Sequence, residues 1–321
     1  MFVNSDTLCS LKIFEDESHP CVHFQGKGGR GKEGLSLHSL ANLTYSPQGE
    51  ELLKSWFARP LLRKSAILGR QDAISLFLQP GNLHCIDGFH THLGRIKNIR
   101  KLLSNLSQGR MGMAANKTSD WTGILQFCFH MLHIRDQVLQ MENARSINLT
   151  ANIMDGIDVK ALQQVASMIN DAIDFEESAL QQRVVVMRGI DQELDEMNHV
   201  YDSLDATLSS AALEIGHTLP AEAASLISVV YLPQLGYFIV MPSRTTNDAA
   251  YCSEHWVFQF STSKSFYYKS EEMRSLDEYY GDVHGLIIDR EIEILHQLQL
   301  MVLESSALLY VCSDLCAELD W

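Results

Sequence analysis

The sequence predicts a mainly α protein: a helical core, a long antiparallel helix hairpin projecting from it, and a small β-rich module at the hairpin's tip. Three observations carry this prediction. The seven prolines (Pro20, Pro47, Pro60, Pro80, Pro220, Pro233 and Pro242) leave residues 81–219 and 243–321 free of the strongest helix breaker. Apolar side chains recur every seven residues at Met273, Tyr280, Ile287, Ile294, Met301, Leu308 and Leu315, the spacing of one helical seam. Between two helical territories lie runs rich in β-branched and aromatic residues, Leu226–Val240 and Trp256–Tyr268, which are strand signals.

In chain order, the glycine-rich stretch Gly26–Gly34 reads as a loop. Ser46-Pro47 has the form of an N-cap followed by a first-turn proline, and starts a helix from Pro47 to Ala58 that Arg59-Pro60 ends. A second helix spans Lys64–Leu78 and stops at Pro80-Gly81. A third, Val159–Leu180, carries Leu162, Val165, Ile169, Ile173 and Leu180 on one face and belongs to the base of the helical body. Ile190, Leu194, Met197, Tyr201, Leu204, Leu208, Ala211 and Ile215 alternate steps of four and three, so this helix leads the chain outward along a coiled-coil-like face. The seven-residue seam predicts one continuous returning helix, Glu271–Leu319, about 74 Å long at ~1.5 Å per residue. The two pair antiparallel, with the strands at the tip. The expected domains are 1–189, helical core and first part of the hairpin; 190–280, flanking helices and β module; and 281–321, returning helix.

Composition narrows the function. The chain has 321 residues, 46% of them apolar and 20% charged, which supports a sizeable core and excludes compositional disorder. A net charge of −15 argues against a protein that coats nucleic acid or an anionic membrane with its whole surface. The average hides a division: residues 1–110 carry 14 basic and 9 acidic side chains, and residues 111–321 carry 11 and 31. Each predicted arm, 146–220 and 271–321, is −10, while residues 221–270 hold 3 of each sign. No apolar run approaches the roughly 18–20 residues of a membrane span, and no membrane partner is expected. Seven cysteines, an odd number at irregular spacing with no signal-peptide pattern before them, read as reduced thiols of the cytosol or nucleus.

Motif chemistry yields no catalytic or metal site. GKGGRGKE, Gly26–Glu33, fits G-x-x-x-x-G-K, but a phosphate loop needs Ser or Thr next, where Glu33 stands, and a buried strand before it. It reads instead as a basic surface loop. His130 with His133, Cys312 with Cys316, and His90 with His92 each lack the second pair that a structural zinc site requires. Carboxylate pairs such as Glu176-Glu177 and Glu271-Glu272 read as solvated faces of acidic helices. No nucleophile elbow, H-E-x-x-H or dinucleotide fingerprint occurs.

Several segments, in order, resemble the MutS family of DNA mismatch-repair and recombination proteins, in particular its meiotic crossover members. LSLHSLANLTYSPQGEELLKSWFARPLL (Leu35–Leu62) is similar to the opening of the family's core domain. FEESALQQRVVVMRGIDQELDEM (Phe175–Met197) is similar to the passage from core to clamp, with Gly189, Asp191, Leu194, Asp195 and Glu196 at matching positions. LGYFIVMP (Leu235–Pro242) resembles the clamp strand, and SEEMRSLDEYYGDVHGLIIDREIEIL (Ser270–Leu295) the return into the lever helix. Lys117-Thr118-Ser119-Asp120-Trp121 is close to a signature of the meiotic members. The resemblance covers nearly all of the chain.

The resemblance implies a helical core with lever helices carrying a clamp that closes over double-stranded or branched DNA such as Holliday junctions. It further implies a second MutS-type subunit in a heterodimer, the meiotic homologue numbered four, and work on chromosomes in the nucleus. ATP and magnesium would belong to the family's ATPase domain, which would start where this chain stops at Trp321. The chain alone is therefore expected to hold no cofactor and to lack ATPase activity. The candidates for backbone contacts are Ser243, Arg244, Thr245 and Lys264, in the loops that should face the duplex. Arg244, Lys264 and Lys269 are the basic residues of 221–270; if all three met phosphates, the salt slope would be only ~2.7, at roughly 0.9 per phosphate. The alternative from another class is a coiled-coil scaffold that binds proteins through its β-rich tip without nucleic acid.

Overall fold

The computed structural model describes residues 5–14, 36–108, 118–217, 219, 224–242 and 255–321. Helices dominate, and the chain divides into two compact units, Met1–Val185 with Gln297–Trp321, and Val186–His296. The glycine-rich loop, Lys117 and the candidates Ser243, Arg244 and Thr245 lie outside the described residues.

The first unit contains α1 (Ser5–Ser10), α2 (Leu37–Ala41), α3 (Pro47–Ala58), α4 (Lys64–Phe77), α5 (Leu83–Leu93), α6 (Ile99–Ser107), α7 (Thr118–Gln140), a 3-10 turn (Ala144–Ser146), α8 (Asn148–Gly156), α9 (Val159–Ala172), strand β1 (Ile173–Asp174) and α10 (Phe175–Gln181). Helix α7 is the axis of its core. Trp121, Ile124, Phe127, Cys128, Met131, Ile134 and Val138 are all buried on it, because α5, α6, α8 and α9 pack around several of its sides. Neighbouring helices contribute Leu103, Leu106, Leu162, Val165 and Ile169. The helix expected over Val159–Leu180 is interrupted: Ile173 turns extended, and Asp174 restarts the helix as an N-cap whose carboxylate accepts the Glu177 N–H at 2.9 Å. An Asp in that position competes with the helix interior for backbone donors.

The Ser46-Pro47 start is as expected, with Ser46 Oγ accepting from Gly49 N at 3.1 Å. What the sequence does not announce is Asp320, whose carboxylate accepts Tyr45 N at 2.9 Å, Ser46 N at 2.7 Å and Ser46 Oγ at 2.7 Å. Gly49 is what lets it in, since a Cβ there would lie 2.2 Å from Asp320 Oδ2.

Strand β2 (Val185–Val186) leads to the second unit, which holds α11 (Gln192–His217), strands β3 (Ser228–Leu232), β4 (Gly236–Pro242), β5 (Val257–Ser261) and β6 (Ser265–Lys269), and α12 (Glu271–Tyr280). Helix α13 (Val283–Glu304) carries the chain back into the first unit, where α14 (Ser306–Asp320) follows. The strands form one antiparallel sheet in the order β3-β4-β6-β5. Its inner face, with Val229, Tyr237 and Ile239, packs on Leu204, Leu208 and Ile215 of α11 and on Met273 of α12. Lower on the hairpin, Leu194, Met197 and Val200 of α11 meet Val283, Ile287, Ile294 and Leu295 of α13. Asp191 pairs with Arg290, and Tyr201 lies beside His284, so the two helices run antiparallel.

The single returning helix is corrected to three. Gly281 breaks α12 from α13 with φ +61° and ψ −152°, a conformation outside the reach of most side chains, and the chain bends by 57° at Ser305. The seven-residue seam also fails at Met301, although Leu315 is buried. Met301 is 44% exposed, whereas Leu298 and Val302 are buried. An α-helix repeats every 3.6 residues and drifts ~20° per heptad; the buried set therefore runs Val283, Ile287, Glu291, Leu298, Val302 and leaves the strict seven-residue positions behind. Among the described residues no single helix is long and apolar enough to cross a membrane.

Candidate nucleic-acid interface

The candidate surface is the end of the sheet where β5 turns into β6. The turn is tight: Thr262 N donates to Ser265 O at 2.8 Å, and Ser265 N returns to Thr262 Oγ1 at 3.2 Å. Ser263 and Lys264 occupy the two central positions, with Lys264 exposed. Register places β4 beside this turn, since Pro242 is opposite Ser265 and Met241 opposite Phe266. The chain therefore leaves β4 next to Lys264, and Ser243, Arg244 and Thr245 follow directly in sequence.

Lys269, counted with Arg244 and Lys264 in the sequence, is used internally. Its Nζ is 2.5 Å from Asp277 Oδ2 and 4.6 Å from the Phe238 ring centroid, with the side chain 17% exposed. Asp277 also accepts the Tyr237 N–H at 3.0 Å, tying α12 to the start of β4. The joint closes around Gly236, which has φ +94° and would bring a Cβ within 2.2 Å of Asp277 Oδ1. Sequence reasoning missed Asp277, and nothing in its local spacing marks it. It also passed over Arg274, an exposed cation at the start of α12. With Lys269 engaged, Lys264 is the exposed cation among the described residues of 221–270.

The outer face of the sheet is aromatic. Phe260 stacks on Tyr267 at 4.4 Å, and both meet Phe238 edge-on. Edge strand β5 exposes Val257 and Phe258 by 47% and 52%.

At the other end of the hairpin, the residues Gly189-x-Asp191-x-x-Leu194-Asp195 act as one device. Gly189 has φ +92° and donates its N–H to Asp195 at 3.0 Å. Asp191 caps α11 through Leu194 N at 2.9 Å and receives Arg290 in a forked pair, Nε at 3.2 Å and Nη2 at 2.7 Å. The fork holds the Asp191 carboxyl below its ordinary range and pushes the Arg290 guanidinium up. Leu194, 1% exposed, is the apolar anchor.

The other sequence candidates fall elsewhere. Cys312 and Cys316 are buried, and burial raises both thiols, Cys312 to about 12, which opposes the thiolate that a metal needs. His92 and His130 meet at 3.0 Å between Nδ1 atoms, with His133 stacked on His92. Among the described residues no group of three His, Cys, Asp or Glu side chains has a metal-holding arrangement.

A helical unit whose chain is interrupted by a second unit, a helix hairpin carrying a four-stranded antiparallel sheet, defines a class of two-unit, mainly α proteins. The MutS domain III family matches residues 6–321. The chain belongs to the MutS family. It is 27% identical to MutS protein homolog 5 of Saccharomyces cerevisiae over all of its length and 36% of that protein's. It is 22% identical to MutS protein homolog 5 of Caenorhabditis elegans, over 90% of this chain and 20% of that one. The DNA mismatch repair protein MutS of Psychrobacter cryohalolentis is 22% identical over 89% of this chain and 28% of its own length. The chain thus spans about a third or less of these relatives.

Proposed function

We propose that this chain is the core, lever and clamp portion of a MutS-type complex that holds duplex or branched DNA, such as Holliday junctions, during meiotic crossing-over in the nucleus. Its partner would be a second MutS-type subunit, the meiotic homologue numbered four, and ATP with magnesium would be held by another region of the full-length protein. The observation that carries the reading is the exposed Lys264 turn beside the end of β4, the strand that leads directly into Ser243, Arg244 and Thr245. Sequence-independent phosphate contact needs only such cations and hydroxyls at the edge of a rigid sheet. Two clamp cations instead of three lower the salt slope from this surface to ~1.8 per subunit, at ~0.9 per phosphate. The acidic arms repel a duplex along their length, which suits DNA held loosely and free to slide.

The test is Arg244→Glu with Lys264→Glu in the full-length heterodimer on duplex and junction DNA. Faster dissociation and a shallower salt dependence are expected; unchanged values would sink the proposal. The protein scaffold remains the second reading, favoured by the exposed Val257 and Phe258 on an edge strand. It requires the heterodimer to show no salt-sensitive DNA binding at all.

A further inference from the structure

The charge of the first unit is unevenly laid out. Residues 88–119 hold six Lys and Arg and no Asp or Glu, in a chain whose net charge is −15. Four of the six, Arg95, Lys97, Arg100 and Lys101, fall within seven residues where α5 ends and α6 begins, and all four are exposed. The apolar residues of the same stretch turn inward: Ile96, Ile99, Leu102, Leu103 and Leu106 are 6% exposed or less. What remains facing solvent is cations and the polar side chains Ser104, Ser107 and Gln108.

The carboxylates around this surface do not balance it. Asp314 of α14 takes Arg100 at 2.5 Å. Glu51 of α3 accepts the Asn98 amide at 2.8 Å, and Asp120 of α7, 9% exposed, accepts the Asn105 amide at 3.4 Å. Arg95, Lys97 and Lys101 form no ion pair among the described residues; Lys97 Nζ donates to the Ser119 carbonyl at 3.0 Å. Beside Arg95 the imbalance grows. His92 of α5 and His130 of α7 meet at 3.0 Å, and His133 stacks on His92 with ring centroids 5.1 Å apart. Burial is the larger cause holding His92 and His130 below their ordinary range, and repulsion from His133 and Arg95 adds to it. Asp87 of α5 and Asp136 of α7, the acids nearest to them in sequence, pair with none of these side chains. Cations that repel one another without a counter-charge raise the local concentration of anions.

We infer that the surface formed by Arg95, Lys97 and Lys101 is a second DNA-backbone contact, carried on the first unit and separate from the turn that holds Lys264. The inference rests on the DNA-holding reading for its ligand and on none of that reading's residues for its site. A phosphodiester chain suits this surface better than an acidic segment of another protein. Phosphates need only cations and hydrogen-bond donors at a surface, whereas a protein interface is built around a desolvated apolar centre, and the apolar side chains here are already buried in the unit. Two such surfaces on one chain let a branched DNA be held by more than one arm.

The probe is a labelled duplex titrated into the 321-residue chain across a salt series that starts low. Arg95→Glu, Lys97→Glu and Lys101→Glu together should weaken binding at least ~10-fold and lower the salt slope by ~2.7, at roughly 0.9 per phosphate, with helicity and melting kept. Arg95→Gln with Lys101→Gln, which leaves Lys97 on Ser119, is the second variant should the first disturb folding, and should lower the slope by ~1.8. Unchanged affinity and slope in both variants would overturn the inference. So would displacement of the labelled DNA by poly-glutamate as readily as by unlabelled duplex of equal charge, because the surface would then suit an acidic polypeptide. Lys264→Glu separates the two readings. Loss confined to Lys264→Glu removes this surface and leaves the clamp, and loss confined to the triple variant supports this surface whatever the clamp does. A chain that binds no duplex at low salt sinks this inference alone, since the clamp is tested in the full-length heterodimer.

Discussion

The helical body and the hairpin unit are held by different forces. In the body, α7 is surrounded by apolar side chains, and its fully buried residues, Ile124, Phe127, Met131 and Ile134 among them, are 0% exposed. The hairpin unit has thinner cores, and its joints are ionic: Asp191 with Arg290 at one end and Lys269 with Asp277 at the other. Apolar burial is indifferent to direction, whereas a forked ion pair or a carboxylate shared between a lysine and a backbone N–H fixes an angle. In a unit with a large acidic surplus, the scarce cations are placed where two elements must meet in one geometry. Among the described residues of that unit, Arg188, Lys269 and Arg290 are engaged in ion pairs.

This contrast can be broken most forcefully in the body. Trp121→Ala, at a side chain 2% exposed, should cost ~3–5 kcal/mol, read as a lowered denaturation midpoint with near-UV signal lost. Gly236→Ala should cost roughly 2–3 kcal/mol, because the new Cβ meets both a left-handed backbone and the Asp277 carboxylate; hydrogen exchange at Tyr237 should rise, and a variant without that rise would show that the joint tolerates Asp277 elsewhere. Asp320→Ala removes three hydrogen bonds at the start of α3 and should cost ~2 kcal/mol, measured by urea denaturation.

Acid sharpens the comparison further. In the body, burial first, then His92, Arg95 and His133, depress His130 to about 4, below the ordinary ~6.5 of an unfolded histidine. The unfolded chain thus takes up the proton first, and stability should fall as pH drops from about 6.5 toward 4 and then level off. His130→Gln should flatten that slope. In the hairpin unit, Asp191 is depressed by Arg290, so its contribution is present above the unfolded carboxylate pKa and lost as pH falls through the lower folded value. The two units should therefore loosen in different acid windows, a difference that hydrogen exchange at stepped pH would resolve. The smallest effect belongs to Arg188→Ala, whose pair with Asp202 is 68% and 53% exposed; a change within ~0.5 kcal/mol is expected.

How much of this was legible depended on whether the cause was local. Ser46-Pro47 marked its helix because a cap and a first-turn proline act within four residues. The β-branched runs marked the sheet for the same reason. Gly281 was visible but submerged by the seven-residue seam, and that seam was misleading in its own right, since a heptad and an α-helix part company after a few turns. Ser305 carries no breaker signal. Among the candidate contacts, Lys264 is exposed in the turn between β5 and β6. Lys269 is not among the candidates, and its engagement with Asp277 could not be read from a list of charges. Contacts across a fold, such as Asp320 with Gly49, leave no local trace except a glycine inside a helix.

That last contact also has a bearing on synthesis. The body is assembled from two pieces of chain, and the carboxylate that anchors the start of α3 lies 274 residues beyond Ser46. On a ribosome, where domains fold in order of emergence, the hairpin unit is complete in the nascent chain at residue 296, while the body still waits for α14. The inserted unit can therefore fold before the unit that its chain interrupts. During that interval the groove between α3, α5 and α8 that α14 will fill presents apolar surface to the cell, and the clasp at Asp320 marks the moment it is covered.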